Sequence, residues 1–85
     1  MNVKPRVPAE VFHPGEFLKE ELDERGVSQK DAASALGISP QFLSDVINGR
    51  RGVSTELARR LGKYLGTTAF FWMKMQDVWD SSAEL

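Results

Sequence analysis

The chain has 85 residues, with 11 basic and 12 acidic side chains, one histidine and no cysteine. That length suits one small domain, and 41% hydrophobic with 27% charged residues is the balance of a folded chain rather than a disordered one. The missing cysteines exclude disulfide scaffolds and thiolate zinc sites and favour the reducing cytoplasm, and a single histidine cannot build a His-rich metal site. No apolar run approaches the roughly 18 residues of a membrane span, and the first residues lack the apolar stretch of a signal peptide. A net charge of −1 argues, at first sight, against a nucleic-acid binder.

Residues 1–12 carry Pro5 and Pro8 without periodicity and read as an arm. Pro14 suits the first turn of a helix, with Glu16, Glu20 and Glu21 behind it. Phe17, Leu18 and Leu22 share a face of this first helix, and Gly26 closes it. His13, in front of Pro14, fixes the start of that helix; with no second histidine or cysteine to work with, it is not read as a catalytic base. Ser28 with Asp31 makes a capping-box-like start to a short second helix, Gln29 to Leu36, which stops at Gly37. Ser39 and Pro40 start a third helix, which buries Leu43, Val46 and Ile47 and ends at Asn48-Gly49.

After the basic loop Arg50-Arg51-Gly52-Val53, Ser54 caps a fourth helix in which Leu57, Leu61 and Leu65 recur, with Gly66 as the stop. Gly62 inside it costs roughly 1 kcal/mol against alanine and is read as the point where another helix comes close. Thr67 or Thr68 caps a last helix through about Asp80, with Phe71, Trp72, Met75 and Trp79 on one stripe; residues 81–85 are expected to form a flexible tail. The prediction is an all-α, five-helix domain over residues 13–80.

Two short helices separated by Gly37-Ile38-Ser39, with Ala32 and Ala33 permitting close approach, read as a helix-turn-helix whose second helix is offered to a major groove. Gln41, Ser44, Asp45 and Asn48 fall at i, i+3, i+4 and i+7, opposite the buried positions. With Pro40 they form the expected base- and phosphate-facing surface. Gln29 at a helix N-terminus adds an amide donor where free N–H groups attract phosphate. Arg50 and Arg51 are expected to contact the backbone. Asp45 puts a negative charge on this face and Pro40 removes a donor, although a carboxylate can accept from cytosine N4.

The run Ser28-Gln29, Ala33, Gly37-Ile38-Ser39, Leu43-Ser44 and Ile47-Asn48-Gly49 resembles the lambda-repressor-like, Xre-type helix-turn-helix. His13-Pro14-Gly15-Glu16, Asn48-Gly49-Arg50-Arg51-Gly52-Val53-Ser54, Leu65-Gly66-Thr67 and Phe71-Trp72 with Gln76 look like the HigA antitoxins. The resemblance implies a dimeric, non-enzymatic antitoxin of a type II toxin–antitoxin system. Such a protein binds double-stranded operator DNA, represses its own operon and neutralises a HigB-type (RelE-like) ribosome-dependent mRNA endonuclease. It implies no cofactor. It also matches Gln29 to a phosphate anchor, Gln41 and Ser44 to base-facing positions, and Asn48, Arg50 and Arg51 to the backbone-contacting end.

Large apolar residues near the end of a thin-cored chain point to a dimer interface through Phe70, Phe71, Val78 and Trp79. Charge divides by position: seven acidic residues lie between Glu10 and Asp31, whereas Arg50 to Lys63 holds five basic residues and one acidic residue. The acidic first helix is thereby a candidate landing surface for a basic toxin. Two other readings stand beside the antitoxin: an Xre-type regulator without a toxin partner, and a protein-interaction module that has lost DNA binding, the latter motivated by Pro40 and Asp45.

Overall fold

A computed structural model of the protein describes residues 11–82. The described chain forms helices α1 (Pro14–Arg25), α2 (Gln29–Leu36), α3 (Pro40–Ile47), α4 (Thr55–Leu65) and α5 (Ala69–Ser82), with no strand among the described residues. The all-α, five-helix expectation is met. The last helix continues past the expected Asp80 through Ser81 and Ser82, which therefore do not belong to a tail. Residues 1–10 of the expected arm and 83–85 of the expected tail lie outside the described residues.

Side chains placed just before each helix set its start. The hydroxyls of Ser28, Ser39, Ser54 and Thr68 accept from the amides of Asp31, Phe42, Leu57 and Phe71 at 3.0–3.2 Å, each satisfying an N–H that the helix cannot. The cap of α1 is His13: its Nδ1 accepts from the Gly15 amide at 2.9 Å, and its own amide donates to Glu16 Oε2 at 3.2 Å. His13 is 5% exposed, and its ring stands edge-on to Trp79 of α5 with centroids 5.3 Å apart.

The core gathers Leu18 and Leu22 of α1, Ala32, Ala33 and Leu36 of α2, and Leu43 and Val46 of α3. Leu57, Ala58 and Leu61 of α4 and Trp72 of α5 complete its centre. α2 touches both α3 and α4, and the fully buried Ala32 and Ala33 have no bulk to hold those helices away. α5 lies along α4 and also meets α1. Gly62 is where α4 and the start of α5 come closest: a Cβ there would sit 2.9 Å from the Thr68 carbonyl carbon and 3.0 Å from the Ala69 nitrogen. The expected close approach is thus the reason for this glycine.

The aromatic stripe expected on α5 divides by depth. Trp72 is fully buried, and its indole N–H donates to Thr67 Oγ1 at 2.8 Å, so the burial leaves no orphaned donor. Phe71 packs edge-on against Phe17 and Trp72 yet keeps part of its ring in solvent, Met75 and Trp79 are half-buried, and Phe70 is 74% exposed. Two arginines tie helix ends together from a distance. Arg25 of α1 donates to the Leu65 carbonyl at 2.9 Å, and Arg60 of α4 donates to the Leu36 carbonyl at 3.0 Å, occupying acceptors that the C-termini of α4 and α2 leave open.

Candidate nucleic-acid interface

The turn Gly37-Ile38-Ser39 joins the end of α2 to the start of α3, and the first residues of both helices are exposed. Gln29 is exposed at the first position of α2, with Lys30 beside it, and Pro40 and Gln41 are exposed at the start of α3. The free N–H groups of a helix start and the Gln29 amide make a surface suited to a phosphate.

Down the outer face of α3 the polar side chains are not independent. Gln41 Nε2 donates to Asp45 Oδ1 at 2.9 Å, and Arg50 Nε reaches the same oxygen at 3.3 Å. The Arg50 amide donates to the Asp45 carbonyl at 2.8 Å, which folds the loop back onto the end of the helix. Asn48 Nδ2 donates to the Ser44 carbonyl at 2.9 Å and to its hydroxyl at 3.2 Å. Ser44 and Asp45 are half-buried, while Gln41, Asn48, Arg50 and Arg51 are exposed. The structure thus brings Gln41, Ser44, Asp45, Asn48 and Arg50 onto one ridge.

Arg51 takes a different anchor. Its guanidinium lies 4.3 Å from the centroid of the Phe42 ring, a cation–π contact. The loop bearing both arginines is held from behind by α5: Gln76 Oε1 accepts from the Val53 amide at 2.8 Å. Gly52 makes room, since a Cβ there would meet the Gln76 amide at 3.0 Å. Neither the Phe42 contact nor the Gln76 bond is legible in the sequence. Arg51 stands nine positions beyond Phe42 across a loop, and neither spacing nor residue type announces that pairing; Gln76 stood out only within the family pattern.

Two expectations about charge need correction. Asp45 is not a bare negative charge on this face, because it is paired with Arg50 and bonded by Gln41. The basic run from Arg50 to Lys63 is also less free than its composition suggests. Glu56 pairs with Arg59 at 2.8 Å and with Arg60 at 3.0 Å, and Arg60 is further engaged by the end of α2. The Arg60 hydrogen bond, with the nearby charges of Arg60 and Arg59, holds the Glu56 carboxyl below its ordinary value. Among the described residues, Arg51 and Lys63 have no carboxylate within ion-pair distance.

No group of three or more potential metal-ligating side chains gathers among the described residues, and none of their helices is long and apolar enough to cross a membrane. Phe70, Phe71 and Val78 border a shallow groove on α5 together with Phe12, Lys74 and Met75. Trp79 faces His13 within the fold instead.

Comparison with known proteins agrees with this geometry. The Helix-turn-helix family model matches residues 18–72. Virulence-associated protein I of Dichelobacter nodosus is 38% identical over 78 residues, 91% of this chain and 70% of that protein. An antitoxin HigA of Vibrio cholerae is 40% identical over 72 residues, covering 79% of this chain and 67% of the relative. The solved structure of a Pseudomonas aeruginosa antitoxin HigA with its higBA promoter superposes with a TM-score of 0.82 at 38% identity, over 86% of this chain and 80% of that one. The buried alanines between α2 and α3, the polar ridge of α3 and these likenesses lead to one assignment: the chain belongs to the Xre-type helix-turn-helix family, among its HigA-type antitoxins.

Proposed function

We propose that the protein is the antitoxin of a type II toxin–antitoxin pair, acting without catalysis in the cytoplasm. It binds operator DNA as a homodimer, represses its own operon and neutralises a HigB-type mRNA endonuclease. The observation that carries the DNA-binding half is the ridge on α3, where Gln41 stands exposed and bonded to Asp45, which pairs with Arg50; Gln29 and Arg51 are exposed as well. In a major groove, Gln41 meets base edges while Gln29, Asn48 and Arg51 meet phosphates, and Ser44 and Pro40 fill the contact. The likeness to an antitoxin HigA solved with promoter DNA supports the same reading. The pairing of Asp45 with Arg50 answers the objection that Asp45 alone raises against DNA binding.

Gel retardation with the protein's own promoter fragment tests this. Binding is expected at low salt, weakening roughly a thousandfold or more between about 50 and 200 mM salt as about six or more phosphate contacts release counterions. No retardation at low salt would remove the repressor role. Co-expression with the neighbouring gene separates an antitoxin from a regulator without a toxin: growth is rescued only in the first case.

A further inference from the structure

We propose that Asp45 is a positioning residue for sequence reading: it fixes which way Gln41 presents its amide, and so sets a preference for adenine over guanine without touching a base. The inference rests on the DNA-binding reading above and adds to it.

An ionised carboxylate only accepts, so the Gln41 amide must turn its NH2 group toward Asp45, as the 2.9 Å contact records. That leaves Gln41 with its carbonyl oxygen and one N–H for DNA. Adenine offers an acceptor at N7 and a donor at N6, which match those two groups. Guanine offers two acceptors, N7 and O6, and meeting both takes two donors, one of which is already given to Asp45.

Arg50 makes the arrangement durable. Its Nε bonds to the same Asp45 oxygen at 3.3 Å, and its backbone N–H bonds to the Asp45 carbonyl at 2.8 Å, so the carboxylate is held from the loop side as well. Asp45 is also recessed: its side chain is 22% exposed, against 61% for Arg50. A recessed, paired carboxylate is placed to orient a neighbour rather than to reach a base edge.

The test is selection of binding sites from randomised duplexes by the full chain, with sequencing, for wild type, Asp45→Ala, Gln41→Ala and the double variant. Thermal melting of each variant checks the fold. At the base pair whose preference Gln41→Ala erases, Asp45→Ala is expected to cut the adenine-over-guanine ratio about tenfold, within the range of one bidentate contact. In the Gln41→Ala background, removing Asp45 is expected to change no base preference, because it acts only through Gln41. Should Asp45→Ala fail to fold, Asp45→Asn is the substitute: it keeps the size, adds a donor that lets Gln41 turn, and is expected to lower the same ratio.

An unchanged ratio in a folded Asp45 variant that still selects a site would overturn the clamp while leaving DNA binding intact. So would a preference that shifts at another base pair, or one that shifts in the absence of Gln41. Wild-type protein that enriches no sequence would overturn the DNA-binding reading and the clamp together.

Discussion

At the scale of a residue, His13 carries more than its neighbours do. Its Nδ1 accepts the Gly15 amide, and only an unprotonated Nδ1 can do so. Burial pushes its pKa below 6.5, against the Glu16 and Asp80 carboxylates, which favour the charged form. The unfolded chain therefore takes up this proton first, and stability rises with pH across the window between the two values. The contribution is complete above about pH 6.5 and is lost as pH falls through the lower folded value. Urea titrations of the wild type are expected to show that decline as pH falls below about 6.5. A His13→Asn variant, which keeps a capping side chain but not a titrating one, is expected to be flat there; an equal slope in both would place the proton elsewhere. His13→Ala is expected to cost about 1 kcal/mol at pH 7 through loss of the cap.

Among elements, the junction of α4 and α5 depends on Gly62. Alanine there gains about 1 kcal/mol of helix propensity. Against that, its Cβ meets backbone atoms of Thr68 and Ala69 at 2.9–3.0 Å, and overpacking of this kind costs about 1–3 kcal/mol. Because the neighbours are backbone, they yield only if α5 moves. Gly62→Ala is therefore expected to lower the denaturation midpoint, and a raised midpoint would show that propensity wins. Helix starts were legible in the sequence because Ser28, Ser39, Ser54 and Thr68 are residues whose short hydroxyls suit the cap. The place of His13 before Pro14 marks the start of α1, but its bond to Gly15 is not legible, since histidine is not among the common caps. The bonds from Arg25 to Leu65 and from Arg60 to Leu36 could not be read either, because any residue supplies a carbonyl and the partners lie 40 and 24 positions apart. On α3 the i, i+4 spacing of Gln41 and Asp45 was visible. The partner that neutralises Asp45 was not, since Arg50 returns to it only through the turn at the helix end.

For the whole molecule, the question is what covers the outer side of α5. Phe12, Phe70, Phe71 and Val78 are 40%, 74%, 37% and 43% exposed and border one groove, an apolar face of the kind that marks an interface. We propose that the dimer uses this face, on which Phe70 and Val78 are the most exposed large apolar residues. Phe70→Asp and Val78→Asp are each expected to shift sedimentation toward monomer while leaving the helical content unchanged; a persistent dimer in both would move the interface elsewhere. Trp79→Asp is expected to behave differently, reducing stability because the indole supports the His13 cap. The acidic and basic regions apparent along the chain persist on the folded protein. They are tempered by local pairs such as Lys19 with Asp23 and Arg59 with Glu56, so the opposite fields that would guide two partners are weaker than a count of residues implies.

Long-range arginine and glutamine bonds tie the helix-turn-helix to its frame. α2 and α3 are eight residues each, well below the length at which a helix persists alone. The carbonyl end of α2 is closed by a side chain from α4, and the loop leaving α3 is closed by one from α5. The helix-turn-helix is therefore not a cassette to be excised or grafted by itself. Opening α2 or the loop after α3 breaks bonds to α4 and α5, so hydrogen exchange is expected to protect these two segments together with the helices that hold them.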